Sequence, residues 1–139
     1  MTTNRALADA RRISQLIIDV ADLSKDVFAN IAAELNVPVQ LARALCLLET
    51  AAPMTELAAK MSCDKSYVTP LADQLELLGL INRVPGADRR TKLLQLTPKG
   101  EKLREQLGEK VAAFSPVTVA LGQKERVAFE AMLQKILNP

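Results

Sequence analysis

At 139 residues, 49% hydrophobic and 24% charged, the chain suits one domain carrying helical extensions and is too apolar for a disordered tail. Only Phe28, Tyr67, Phe114 and Phe129 are aromatic, which argues against a stacking platform for unpaired bases. The formal net charge of +2 names no partner, but residues 60–104 hold nine Lys/Arg against five Asp/Glu (+4) and the remainder carries −2, so basic character is gathered in one segment.

Other classes recede on composition. There is no apolar run near the length of a membrane span. MTTNRALADARR is not followed by a signal-peptide pattern, so a cytoplasmic location is expected. Two cysteines with no His and no CxxC leave no zinc site, and a structural disulfide does not suit that compartment. No Gly-rich phosphate loop and no nucleophile–base pairing appear, so neither catalytic residues nor a cofactor are expected.

The first element is a long amphipathic helix, about Asn4 to Leu35. Ile13, Ile17, Val20, Val27, Ile31 and Leu35 recur every three or four residues, and such a stripe needs a partner surface larger than a small domain supplies. Asn36-Val37-Pro38 ends it, because proline disfavours helix in the residue before it. Leu41, Leu45 and Leu48 mark a second helix, closed by Ala51-Ala52-Pro53. Thr55 is placed to cap a third, TELAAKM, and Ser62-Cys63 supplies the tight link of a helix-turn-helix.

The stretch DKSYVTPLADQLELLGLINRVPGADRRTKLLQLT, Asp64 to Thr97, organises the rest. Asp64 is a candidate N-cap. Val68, Leu71, Leu75 and Leu78 define a buried helical face, with Lys65, Ser66, Thr69, Asp73 and Gln74 on or near the other. Gly79 stands where a left-handed residue would end the helix. Leu80 to Val84 and Leu93 to Leu96 flank the Pro85-Gly86 turn signal and read as a hairpin. Thr97-Pro98 then opens a helix through Leu103, Leu107 and Val111. Ser115-Pro116 and Gly122 interrupt it, and a last helix from about Gln123 carries Val127, Met132, Leu133, Ile136 and Leu137.

VTPLADQLELLGLINR, ADRR and LLQLTPKG together resemble the DNA-binding core of MarR-type transcriptional regulators. The distinctive residues are Asp88, Arg90, Leu96, Thr97 and Gly100, an Asp-x-Arg followed by Leu-Thr-x-x-Gly. The resemblance implies a mainly α fold: a winged helix-turn-helix core over 38–97 with a two-stranded β wing, and helices 1–35 and 98–139 forming a dimerisation arm. It implies a homodimer on a pseudo-palindromic double-stranded operator, often a repressor released by a small aromatic or phenolic ligand. The alternative of another class is a winged-helix interaction module whose basic wing meets an acidic protein.

On this reading Lys65 and Ser66 contact phosphate at a helix N-terminus. Tyr67, Thr69 and Gln74 can reach base edges, although Tyr67 also suits a packing role and Gln74 plain solvation. The resemblance sends Arg90, with Arg89 beside it, into the minor groove. Arg83 and Lys92 flank the strands as backbone contacts, and Asp88 steadies the wing arginines. Pro70 departs from the arginine found there in many resembling proteins, which weakens any base preference carried over from them. Cys46 lies in the apolar run ALCLL and reads as inert; Cys63, next to Asp64, reads as packing, so no thiol switch is expected. A gap lined by residues such as Val20, Phe28 and Leu45 is the expected place for an effector.

Overall fold

The computed structural model describes residues 3–139. Among them seven helices and three short strands follow in the order α1 (Asn4–Glu34), α2 (Val39–Leu47), β1 (Ala52–Pro53), α3 (Met54–Lys60), α4 (Lys65–Leu77), β2 (Ile81–Pro85), β3 (Lys92–Leu96), α5 (Pro98–Phe114), α6 (Pro116–Ala120) and α7 (Gln123–Leu137). No described helix is long and apolar enough to cross a membrane. Two compact units emerge, one of Ile31–Lys110 and one of the described residues up to Asn30 with Val111–Pro139.

The unit 31–110 holds the core. Leu41 and Leu45 of α2, Leu57 of α3, Val68 and Leu75 of α4, Ile81 of β2, Leu94 of β3 and Leu107 of α5 are almost fully buried. The α4 residues Val68, Leu71, Ala72 and Leu75 face inward at helical spacing, as the sequence pattern requires. No polar or charged residue is buried there among those described.

The sheet has three strands, not two, in the order β1-β3-β2 and antiparallel throughout. β3 pairs with β2 from Ile81↔Leu96 to Pro85↔Lys92, and with β1 through Ala52↔Leu94 and Pro53↔Leu93. Ala51-Ala52-Pro53 therefore does more than close a helix. A two-residue strand ending in proline has no alternation to betray it, and proline is tolerated on a sheet edge.

Three helices end in the same way. At α1, α3 and α4 the C′ residue is left-handed: Asn36 (φ 56°), Ser62 (φ 54°) and Gly79 (φ 72°). In each the next N–H reaches back to a carbonyl five residues earlier: Val37 to Ala32, Cys63 to Ala58, Leu80 to Leu75. These are Schellman turns, in which two otherwise orphaned carbonyls are satisfied. Ser62 is the costly member, since a Cβ in the left-handed region is penalised by about 1–2 kcal/mol. Ser62→Gly is accordingly expected to raise stability by about 0.5–1 kcal/mol after the larger entropy of the unfolded glycine chain is deducted. Thermal unfolding checks this, and a lower midpoint would contradict it.

The caps differ in part from expectation. α3 starts at Met54 with Pro53 as its N-cap, so Thr55 lies inside the first turn and caps nothing. Asp64 has the extended backbone of an N-cap, but its carboxylate makes no capping bond; its carbonyl accepts from Tyr67 N–H at 3.0 Å. Thr97 is the fully engaged cap. Its hydroxyl accepts from Gly100 N–H (3.1 Å) and donates to the Gly79 carbonyl (2.6 Å). Thr97 thereby links the start of α5 to the end of α4.

In the other unit the apolar stripes are open to solvent. Ile13, Ile17 and Val20 of α1 are 42–50% exposed, and Val127, Met132 and Ile136 of α7 are 56–65% exposed. α7 begins after Gly122, whose N–H donates to Glu125 Oε1 at 3.0 Å.

Candidate nucleic-acid interface

α4 carries the first half of the candidate surface. Burial of Val68, Leu71, Ala72 and Leu75 turns Lys65, Ser66, Tyr67, Pro70 and Gln74 outward, all exposed. Tyr67 is 47% exposed, so it does not serve the core as a packing residue. Thr69 is half-buried, and its hydroxyl donates to the Lys65 carbonyl at 3.1 Å, the carbonyl one turn earlier. Its oxygen remains free to accept. Pro70 removes the N–H that would bond the Ser66 carbonyl, yet α4 runs unbroken from Lys65 to Leu77. The loss falls on the exposed face, where water can serve the carbonyl instead.

The second half is the hairpin tip between β2 and β3. Gly86 N–H donates to the Thr91 carbonyl (2.9 Å) and Thr91 N–H to the Asp88 carbonyl (3.0 Å), which closes the loop. Asp88 Oδ1 accepts from Arg90 N–H at 3.1 Å. Asp88 thus holds the turn through the main chain of the arginine, in the manner of an Asx turn. The side chains of Arg89, Arg90 and Lys92 are exposed, and none forms an ion pair or a side-chain hydrogen bond among the described residues. Two guanidiniums and an ammonium therefore stand free at the far end of a hairpin whose strand β2 packs against α4.

Arg83 is placed otherwise. The sequence reading has it flank the strand as a phosphate contact, but its guanidinium turns back onto α4 and pairs with Asp73 (2.6 Å) and Glu76 (2.9 Å). The hydrogen bond to Asp73 raises its pKa above the ordinary arginine value, with the charge of Glu76 acting in the same direction. A phosphate would have to compete with two carboxylates for it. Spacing along the chain gives no sign of this pairing, since the partners lie seven and ten residues back, across the Gly79 turn.

Cys46 is half-buried and burial pushes its thiol up, partly offset by the nearby Arg104 charge, so it stays protonated near neutral pH. Cys63 is also half-buried. Leu45 is fully buried among the core leucines and cannot line an open effector gap. The open cleft of this unit, about 390 Å³, lies between the α1–α2 link and the start of α5, lined by Leu35, Val37, Pro38, Leu78, Leu80, Lys99, Lys102, Leu103 and Gln106 among others. No cluster of described His, Cys, Asp or Glu residues could hold a metal ion.

Residues 39–92 match the model of the MarR family. A MarR family protein from Bacillus stearothermophilus is 26% identical, covering 98% of this chain and 96% of that one with a TM-score of 0.73. Wild-type apo MarR from E. coli is 25% identical over 89% of this chain and 95% of its own, TM-score 0.74, and a mutant of it solved with operator DNA is 24% identical over 91% and 94%, TM-score 0.74. CouR from Rhodococcus jostii RHA1, bound to p-coumaroyl-CoA, has the same fold at 24% identity over 91% of this chain and 92% of that, TM-score 0.73. No curated protein matches the chain.

Proposed function

We propose that the chain, whose residues 39–92 match the MarR family model, is a homodimeric winged helix-turn-helix repressor that binds a pseudo-palindromic duplex operator and leaves it when a small effector binds. The observation that carries this is a free basic wing on a hairpin packed against a helix with an outward polar face. Lys65 and Ser66 are the phosphate contacts at the N-terminus of α4, where the helix adds its own partial positive charge. Tyr67, Thr69 and Gln74 face base edges in the major groove, glutamine being suited to the paired acceptor and donor of adenine. Arg89 and Arg90 enter the adjacent minor groove, with Lys92 on the backbone. That a mutant E. coli MarR of the same fold was solved with operator DNA supports duplex DNA as the partner here.

The exposed stripes on α1 and α7 support assembly into a two-fold dimer, which covers apolar surface that a monomer leaves wet. Residues 1–35 and 98–139 then form the arm and 38–97 the reading head. Two recognition helices would stand about 34–36 Å apart, one turn of DNA. A small aromatic or phenolic effector suits the cleft at Leu35–Pro38 and Lys99–Gln106, where Leu35, Val37, Pro38, Leu80 and Leu103 are joined by Lys102 and by Lys99, whose ammonium is held by the Leu78 carbonyl at 2.9 Å. That CouR is bound to p-coumaroyl-CoA supports an aromatic acid derivative as the class to try first.

The test is recovery of duplex fragments from a random-sequence pool, followed by titration of the recovered duplex at several salt concentrations. Tight binding with a steep fall of log affinity against log salt is expected, about 0.9 per phosphate neutralised. Sedimentation at micromolar concentration should return twice the 15.1 kDa chain mass. A monomer that enriches no duplex would refute the reading.

A further inference from the structure

The Arg83 fork has a geometry that a surface ion pair does not require. Asp73 and Glu76 are three residues apart on α4, so they share one helical face. The planar guanidinium reaches both, Nη2 to Asp73 Oδ1 and Nη1 to Glu76 Oε1, and lies deeper than its partners: 25% exposed against 63% and 44%. Among the described residues these are the only ion pairs that join α4 to the sheet. The main chain between the two elements is short, Leu78-Gly79-Leu80. This junction is held at its base, by Leu80 N–H to the Leu75 carbonyl and by the Thr97 hydroxyl to the Gly79 carbonyl, and the Arg83 fork adds a second tie farther along β2 toward the tip.

We propose that Arg83 is a positioning residue for DNA recognition, fixing the recognition helix and the wing at one angle, and that it neutralises no phosphate. The proposal rests on the duplex-DNA reading above. Exposed ion pairs add little to stability, so the value of this one lies in geometry. β2 runs two residues beyond Arg83 before the turn that carries Arg89, so the tip stands on the order of 10 Å from the fork. A 10° swing at the fork would therefore move the tip by about 1.7 Å, still beyond the roughly 0.5 Å within which a recognition group must be held.

The carboxylates make the idea testable by sign. On electrostatics alone, removing Asp73 and Glu76 from a surface that meets phosphate should tighten binding. If they hold Arg83, removing them should weaken it. We compare wild type, Arg83→Gln and Asp73→Asn/Glu76→Gln on a duplex recovered by the wild-type protein, across a salt series, with thermal midpoints measured in parallel. Both variants are expected to bind about tenfold more weakly, with the salt slope and midpoint close to wild type. Tighter binding by the carboxylate variant would overturn the proposal. So would a slope lower by about one in Arg83→Gln, which would make Arg83 a phosphate contact. Should the wild type recover no duplex, the DNA reading fails separately and the coupling is read from 15N relaxation of the Arg89 and Arg90 amides. Motion there must rise in Arg83→Gln, and unchanged motion would sink the proposal.

Discussion

Gly100→Ala is expected to destabilise the protein by about 3 kcal/mol or more, at the upper end of what overpacking costs. A Cβ built on Gly100 would meet the Leu80 carbonyl oxygen at 2.0 Å and its carbon at 3.0 Å. Neither is the end of a flexible side chain. The Leu80 carbonyl already accepts from Thr97 N–H (3.0 Å), while Leu80 N–H is held by Leu75 in the turn that closes α4. Gly100 N–H is itself tied to the Thr97 hydroxyl. Relief would therefore require α5 to lift from the end of α4 or the Leu80 turn to open. A fall in thermal midpoint of roughly 10 °C is expected for a chain of this size. An unchanged midpoint would show that this crossing can relax, and would remove the reason given for glycine in the Leu-Thr-x-x-Gly pattern.

Arg89→Ala with Arg90→Ala should lower affinity for duplex by about 100-fold or more, since each arginine withdrawn from a groove removes roughly 1–3 kcal/mol. The slope of log affinity against log salt should become shallower by about one for every phosphate that is no longer neutralised. Folding should be untouched, because both side chains are exposed and neither takes part in an ion pair or side-chain hydrogen bond among the described residues. The Asp88 bond to Arg90 uses the main chain and survives the substitution. Far-ultraviolet spectra and sedimentation should match wild type. Wild-type affinity and slope in the double variant would remove the wing from the mechanism.

These two substitutions also show which parts of the molecule the sequence could disclose. Local chemistry is legible. Gly79 at the end of an apolar period, Thr97-Pro98 before another, and the helical spacing of Val68, Leu71 and Leu75 each have a nearby physical cause, and each element begins or ends within a residue or two of the place so implied. Charge also identifies the wing, because Arg89, Arg90 and Lys92 are close in sequence as well as in space. Features set by distant partners stay hidden. β1 is a strand only because Leu93 and Leu94, some forty residues on, present an edge to it. Arg83 looks like one more basic residue until folding brings Asp73 and Glu76 beneath it. The apolar character that suggests Leu45 for an open gap cannot distinguish a lining residue from a core one; close packing in α2 makes it core. The α3 cap lies two residues earlier than expected because a proline N-cap offers its backbone geometry and no side-chain acceptor, so Thr55 looks like the better cap.

The three left-handed helix ends also carry an evolutionary consequence. Their hydrogen-bond pattern is shared, but the side chains at the critical positions are asparagine, serine and glycine. Asparagine enters that backbone region at modest cost, serine at more, and glycine at almost none. Under selection for stability alone, positions 36 and 62 each have an improving substitution in glycine, whereas at position 79 any change away from glycine is adverse. Lineages of this sequence should therefore drift toward glycine at the first two junctions and stay fixed at the third, where α4 meets the hairpin. A library of random variants passed through a folding selection would reproduce that gradient, with glycine enriched at 36 and 62 and retained at 79.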